Sequence, residues 1–297
     1  MFYRIFWRVK LIIRTENLTH LYSPGTPFEK AAIKDVSLNI KKGDYVGIIG
    51  HTGSGKSTLI SHFNAILKPT SGKIFIDGND LWEMSKQQRV KTRFDVGLVF
   101  QYPEYQLFEE TIYKDIAFGP KNMGLDEKEI DKRVHKALGF VGLNKDILNR
   151  SPFEISGGQK RRVAIAGVMA LEPKVLILDE PAAGLDPKGR DEILARIREY
   201  HQQEGNTVLL VSHSMEDIAN NAKSIIVMDH AKCVMHEKTD EVFKNAKMLV
   251  DMGLDIPQIT KVFLSLKQRG FDVDTNIYTI EQGEKEILRH LSGGAKK

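Results

Sequence analysis

The chain has 297 residues, room for one large α/β domain with a smaller appendage or for two modest domains. Its 43 Lys and Arg stand against 39 Asp and Glu, so the formal +4 gives only weak ground for expecting nucleic acid, and none is expected as a partner. A single cysteine, Cys233, excludes an internal disulfide and fits a reducing compartment, and no apolar run has the length that crosses a bilayer. A cytosolic protein that meets a membrane only through partners or a surface contact is the expectation.

Residues 1 to 13 mix Phe2, Tyr3, Phe6 and Trp7 with Arg4, Arg8 and Lys10. They read either as an amphipathic piece on a membrane surface or, better, as a frayed lead into a first strand begun by Val9, Leu11 and Ile13. His20-Leu21-Tyr22 is followed by the turn-rich Ser23-Pro24-Gly25-Thr26-Pro27 and a strand near Val36 to Ile40. An aromatic here is placed to stack on a purine, with Tyr22 the first choice and Phe28 the reserve; ordinary packing is the alternative.

Tyr45 to Ile49 reads as a buried strand and Thr58 to Leu67 as a helix. Between them Gly50-His51-Thr52-Gly53-Ser54-Gly55-Lys56-Ser57 fits the pattern Gly, four residues, Gly-Lys-Ser of a phosphate-binding loop. Glycines let successive N–H groups turn inward, and the helix that follows adds the positive end of its dipole. Lys56 brings a mobile charge to the outer phosphates, and the Ser57 hydroxyl is placed to ligate an accompanying Mg2+. Gly50, Thr52, Gly53, Ser54, Gly55, Lys56, Ser57 and Thr58 are therefore candidate nucleotide contacts. The alternative is a glycine-rich turn.

Lys68 to Gly72 is a turn, Lys73 to Ile76 a short strand and Asp77-Gly78-Asn79 a second turn, together a β-rich appendage. Val96 to Phe100 reads as a buried central strand ending at Gln101, which either sits where open α/β sheets place ligands or is only a polar residue leaving a strand. Tyr102 to Arg150 reads as a helical insertion, with Ile130, Val134, Ala137 and Leu138 on one face. It returns through Ser151 to Gln159 into a helix from about Lys160 to Leu171. The small residues Ser156, Gly157 and Gly158 at that helix start make a second anion-binding terminus, suited to a nucleotide bound elsewhere.

Val175 to Leu178 is a continuous apolar strand ending in Asp179-Glu180. Asp179 is a candidate for the magnesium shell, and Glu180 for orienting or deprotonating an attacking water. Pro181 to Pro187 forms a tight loop before a helix from Arg190 to Glu204. Thr207 to Val211 then delivers Ser212-His213, where His213 either contacts the γ-phosphate region or is an ordinary strand-end histidine. Past residue 240, Val242 to Val250 gives one helical face and Pro257 opens a second helix that stops at Gly270.

In order and spacing these motifs resemble the nucleotide-binding subunit of an ATP-binding cassette (ABC) transporter over about residues 14 to 236. The resemblance implies an α/β P-loop ATPase fold: a mostly parallel core sheet, an antiparallel β subdomain, a helical signature subdomain at about 102 to 165 and, from 241 to 297, a small helical appendage. It implies ATP and Mg2+ as ligands, Gln101 as the glutamine loop that reaches the metal and the reaction, Ser156 to Gln159 as the signature, Glu180 as the catalytic glutamate, Asp186 in the loop across a dimer and His213 as the switch histidine. Ile155 stands where the signature usually has leucine, whereas Leu291-Ser292-Gly293-Gly294 is a decoy with no helix after it.

Within the family, Phe100 to Phe108 and Ser151 to Arg162 resemble the ATPases of energy-coupling-factor (ECF) importers, and the Pro24 to Lys30 and Gly119 to Asn122 segments resemble the second ATPase of the pair. That implies a heterodimer with a similar ATPase, a transmembrane coupling subunit reached through Tyr105, Leu107 and Phe108 unless these are the subdomain's own core, exchangeable membrane subunits that bind vitamins or metal ions, and a peripheral place on the cytoplasmic face of the membrane. A soluble ABC ATPase of translation or DNA repair, another class of ABC transporter and a P-loop kinase are the competing readings. The first usually carries two cassettes or a long coiled coil, and a kinase has no need of Glu180 or a Ser-Gly-Gly-Gln loop.

Overall fold

The computed structural model describes residues 10–293, so residues 1–9 of the N-terminal extension and Gly294 of the decoy motif lie outside the described residues. The chain begins with β1 (Leu11–Tyr22), β2 (Lys30–Lys41) and β3 (Tyr45–Ile49), then α1 (Lys56–Phe63), β4 (Ser71–Ile76), β5 (Asn79–Asp80), α2 (Lys86–Asp95) and β6 (Val96–Val99). Helices α3 (Ile112–Asn122), α4 (Glu127–Phe140) and α5 (Gly157–Met169) follow, then β7 (Val175–Asp179), α6 (Pro187–Glu204), β8 (Thr207–Val211) and α7 (Met215–Asn221). The hairpin β9 (Ser224–Asp229) and β10 (Lys232–Lys238) leads to α8 (Thr239–Lys244), α9 (Ala246–Asp251), α10 (Gln258–Gln268) and α11 (Ile280–Gly293).

Two sheets result. One is antiparallel, in the order β2-β1-β4-β5; the other runs β10-β9-β3-β8-β7-β6, parallel except for the β9–β10 hairpin. Strands of the second sheet are apolar on both faces because both faces are covered. Val46, Ile48, Val175, Ile177, Leu209 and Val211 pack toward α1 and the antiparallel sheet. Their neighbours Tyr45, Ile49, Leu176, Leu178, Val208 and Leu210 pack toward the helices of the opposite face. The period-2 alternation of a strand thus splits one apolar run between two cores. Val242, Phe243, Ala246 and Leu249 join the second of these cores, which makes the start of the C-terminal helices continuous with it.

Several boundaries differ from the sequence expectation for local reasons. Helix α1 stops at Phe63 rather than Leu67, because Ala65 adopts a left-handed φ of 58°. Helix α5 starts at Gly157 because Ser156 and Gln159 form a reciprocal capping box, and α6 starts at Pro187 because Asp186 caps it and proline suits the first helical position. The face from Val242 to Val250 is broken into α8 and α9 at Asn245. Strand β6, expected in the centre of its sheet, is the last strand in the order. Helices α2 and α11 and the β9–β10 hairpin were not anticipated; α11 runs through Leu291 to Gly293, so the decoy motif falls at the end of a helix. Among the described residues no helix is long and apolar enough to cross a membrane.

Candidate nucleotide site

The carboxyl ends of β3, β7 and β8 lie side by side and deliver, in turn, the Gly50 loop, Asp179-Glu180 and Ser212-His213. Gly50 and Gly55 hold the loop shape. Their φ values are 156° and 107°, and a Cβ on Gly50 would overlap the Met228 carbonyl oxygen, one on Gly55 that of Ala32. Lys56 is buried at the start of α1, its Nζ donating to the carbonyls of Gly50 at 2.6 Å and His51 at 3.1 Å. Burial lowers its pKa, against the opposing pull of Glu180 and Asp179. Ser54 Oγ, within the loop, is buried and has no hydrogen-bond partner among the described residues. An inward-facing cradle with a closeted ammonium fits phosphate oxygens.

Ser57 Oγ donates to Asp179 Oδ2 at 3.2 Å. Asp179 is buried, which raises its pKa, while the Ser57 hydroxyl and the Lys56 charge hold it down. A hydroxyl and a carboxylate converging beside a phosphate cradle form a hard oxygen set that fits Mg2+. Glu180 sits at a left-handed φ of 52° with its N–H bonded to the Val211 carbonyl at 3.0 Å, a strained backbone that turns the carboxyl into the site. Its Oε1 is buried and lacks a hydrogen-bond partner among the described residues, and His213 Nε2 lies 3.7 Å away. Burial pushes the Glu180 pKa up to about 7, with the His213 backbone N–H acting the other way and the Asp179 charge adding to the rise. Burial and the Lys56 charge keep His213 below its ordinary value, so its imidazole is neutral near pH 7.

Tyr22, at the end of β1, is half-exposed and lines a recess with Lys30, Ala32, Gly53, Gly55 and Lys56 to Thr58. Its hydroxyl meets Thr58 Oγ1 at 3.3 Å and its ring meets the edge of His20 at 4.7 Å. Phe28 is exposed outside that recess.

The profile of the ABC transporter family matches residues 33–183. This chain belongs to the ABC transporter family. It is 57% identical over 284 residues to the energy-coupling factor transporter ATP-binding protein EcfA2 of Clostridium tetani, covering 95% of this chain and 98% of that protein. The EcfA2 of Clostridioides difficile is 54% identical, with 95% and 98% covered. Among solved structures, cbiO1 from Clostridium perfringens, described as part of the ABC transporter complex cbiONQ, aligns with a TM-score of 0.73 at 39% identity over 88% of this chain and 98% of that one. The chain is accordingly an ATP-binding ABC ATPase.

In this ABC ATPase the remaining sequence candidates stand apart from the phosphate loop. Ser156 Oγ accepts from the Gln159 N–H at 3.3 Å while Gln159 Oε1 accepts from the Ser156 N–H at 3.1 Å. With Gly158 and Asp186 they line a second recess of about 500 Å3, bordered by Arg150 and Arg162, and it shares no residue with the recess at Tyr22. Asp186 Oδ1 accepts from the Gly189 N–H at 3.1 Å. Gln101 is exposed just past β6 and lines neither recess. The Tyr22 recess holds only about 190 Å3, short of the roughly 300 Å3 at which complete ligand pockets begin.

Sequence reasoning missed Arg161. It is 3% exposed, holds both carboxylate oxygens of Glu104 at 3.0 and 2.6 Å and donates to the Ala183 carbonyl. One guanidinium thereby ties the signature helix α5 to the turn after Gln101 and to the loop after Glu180. Its nearness to Gln159 in sequence was the only available hint, because Glu104 lies 57 residues away.

Proposed function

We propose that this chain is one of two paired ATPases that drive an ECF-type importer, coupling ATP hydrolysis to a transmembrane subunit that works with exchangeable substrate-binding membrane proteins for vitamins or metal ions. The observation that carries the reading is the division of nucleotide-binding features between two recesses without a common residue. Each is half a site: the cradle and Tyr22 hold a nucleotide, and the dipole of α5, with Ser156, Gly157, Gly158 and Gln159, closes over one held by the partner ATPase. Similarity to EcfA2 proteins over nearly the whole chain supports the subgroup.

In the closed pair, Tyr22 stacks on the purine, and Gly50, Thr52, Gly53, Ser54, Gly55 and Thr58 surround the phosphates. Lys56 exchanges the carbonyls of Gly50 and His51 for phosphate oxygens. Ser57, Asp179 and Gln101 would hold Mg2+, whose charge neutralises the phosphates when bound. Glu180 takes a proton from the attacking water, a role its elevated pKa fits, and the neutral His213 steadies the Glu180 side chain and the terminal phosphate. Asp186, at the start of α6, meets the partner across the closed interface. Membrane attachment comes through partners, with Tyr105 and Phe108, both exposed beyond β6, as the contact to the coupling subunit.

The test is to recover the tagged chain from membranes with a second ATPase and a multi-span protein, and to compare turnover. The complex hydrolyses ATP far faster than the isolated chain, and Glu180→Gln in the complex keeps ATP binding while nearly abolishing turnover. Recovery only from cytosol, or equal turnover in a verified monomer, would refute the reading.

A further inference from the structure

The hairpin after β9 carries a donor set that ATP hydrolysis does not use. Asp229 ends β9 and pairs across the turn with Lys232, while His230 and Ala231 form the turn at φ values of 43° and 67°. Two consecutive left-handed residues make the tight turn that matches the twist of the flanking strands. The turn is fixed against the phosphate loop: the Ala231 N–H donates to the Ser54 carbonyl at 3.2 Å, and the Ala231 carbonyl accepts from the Lys34 N–H at 2.7 Å. His51, one residue past Gly50, consequently faces the turn. Its Nε2 lies 3.0 Å from Asp229 Oδ1, and His230 Nδ1 lies 2.8 Å from the same oxygen. The donor atoms of the three residues all fall within 4.8 Å of one another.

Hydrogen bonding leaves this set unmatched. His51 Nδ1 is 2.8 Å from the Thr52 carbonyl oxygen while Nε2 faces the Asp229 carboxylate. Both partners are acceptors, and a neutral imidazole has one N–H to give. A cation at the Nε2 side, either a proton or a metal ion, removes the mismatch. Of the two, a metal ion also uses the His230 nitrogen, which converges on the same oxygen. Two imidazoles and one carboxylate suit zinc and the other late first-row divalent ions, whereas Mg2+ prefers oxygen alone. The His230 side chain is 84% exposed, which leaves an entry path and room for water in the open coordination positions.

We propose that His51, Asp229 and His230 form a binding site for a zinc-class divalent ion, separate from the magnesium of the nucleotide, that fastens the phosphate loop to the β9–β10 turn. The site stands on its own ligands and does not depend on the importer reading.

The experiment uses the full chain without a polyhistidine tag, stripped with chelator and free of nucleotide. It is titrated with Zn2+ by calorimetry and with Co2+ by visible absorption. One ion binds per chain, excess Mg2+ does not displace it, and Zn2+ raises the unfolding midpoint. Asp229→Asn preserves the shape of the side chain, and His230→Asn places a residue that tolerates the left-handed turn. Each weakens Zn2+ binding at least about tenfold, with the circular dichroism of the wild type. Absence of stoichiometric binding, or affinity undiminished in both folded variants, would overturn the proposal and leave the cluster a hydrogen-bonded set of side chains.

Discussion

Glu180→Gln should stabilise the nucleotide-free chain by an amount that grows as pH rises from about 4.5 to about 7 and is constant above. The Glu180 carboxyl is mostly buried, and burial lifts its pKa from 4.5 to about 7. A carboxyl raised in the folded state favours folding in its protonated form. Its contribution is therefore fully present below the unfolded value of 4.5 and is lost as pH rises through about 7. At 1.36 kcal/mol for each tenfold change in proton affinity, the rise from 4.5 to about 7 sets an upper bound of about 3 kcal/mol on the ionisation penalty, which solvent reaching the partly exposed carboxyl reduces. Glutamine has the shape of the neutral acid and carries no such penalty. Urea unfolding of wild type and variant at about pH 5 and about pH 9 should thus give nearly equal stabilities at the lower pH and a gain of roughly 2 to 3 kcal/mol for the variant at the higher. A gain independent of pH, or none at about pH 9, would refute the premise that desolvation of this carboxylate dominates its energetics.

Arg161→Ala strands the Glu104 carboxylate in a nearly buried setting and should cost about 3 to 5 kcal/mol in urea unfolding, much of it restored by the double change Arg161→Met with Glu104→Leu. Tyr22→Ala should raise the dissociation constant of a fluorescent ATP analogue by about tenfold, since base–aromatic stacking contributes about 1 to 3 kcal/mol, whereas Tyr22→Phe stays close to wild type. Gly55→Ala should lower the unfolding midpoint more than Gly53→Ala: both glycines have positive φ, but a Cβ on Gly55 overlaps the Ala32 carbonyl while one on Gly53 meets open space. Replacing Ser156 by alanine removes the cap of α5 and should cost about 1 kcal/mol of stability by thermal unfolding, on top of the turnover lost in the assembled pair.

The phosphate loop, the apolar strand that ends in Asp179-Glu180 and the Ser156 start of α5 were legible because each is governed by neighbours a few residues away. Glycines grant unusual φ values, an unbroken apolar run implies a strand covered on both faces, and Ser with Gln three residues later satisfies a helix terminus. Helix α2 was missed because its low apolar content hides the period of a half-exposed helix. What the sequence could not contain is proximity between distant segments. The edge position of β6, the placement of Lys56 against its own loop carbonyls, the unmatched Oε1 of Glu180 and the joining of Glu104, Arg161 and Ala183 all follow from the strand order and from which faces are covered. The order of motifs determined that this chain binds ATP as an ABC ATPase. Only the packed sheet decided how buried each charge is, because desolvation depends on every element laid over a side chain and on none of its neighbours in sequence alone.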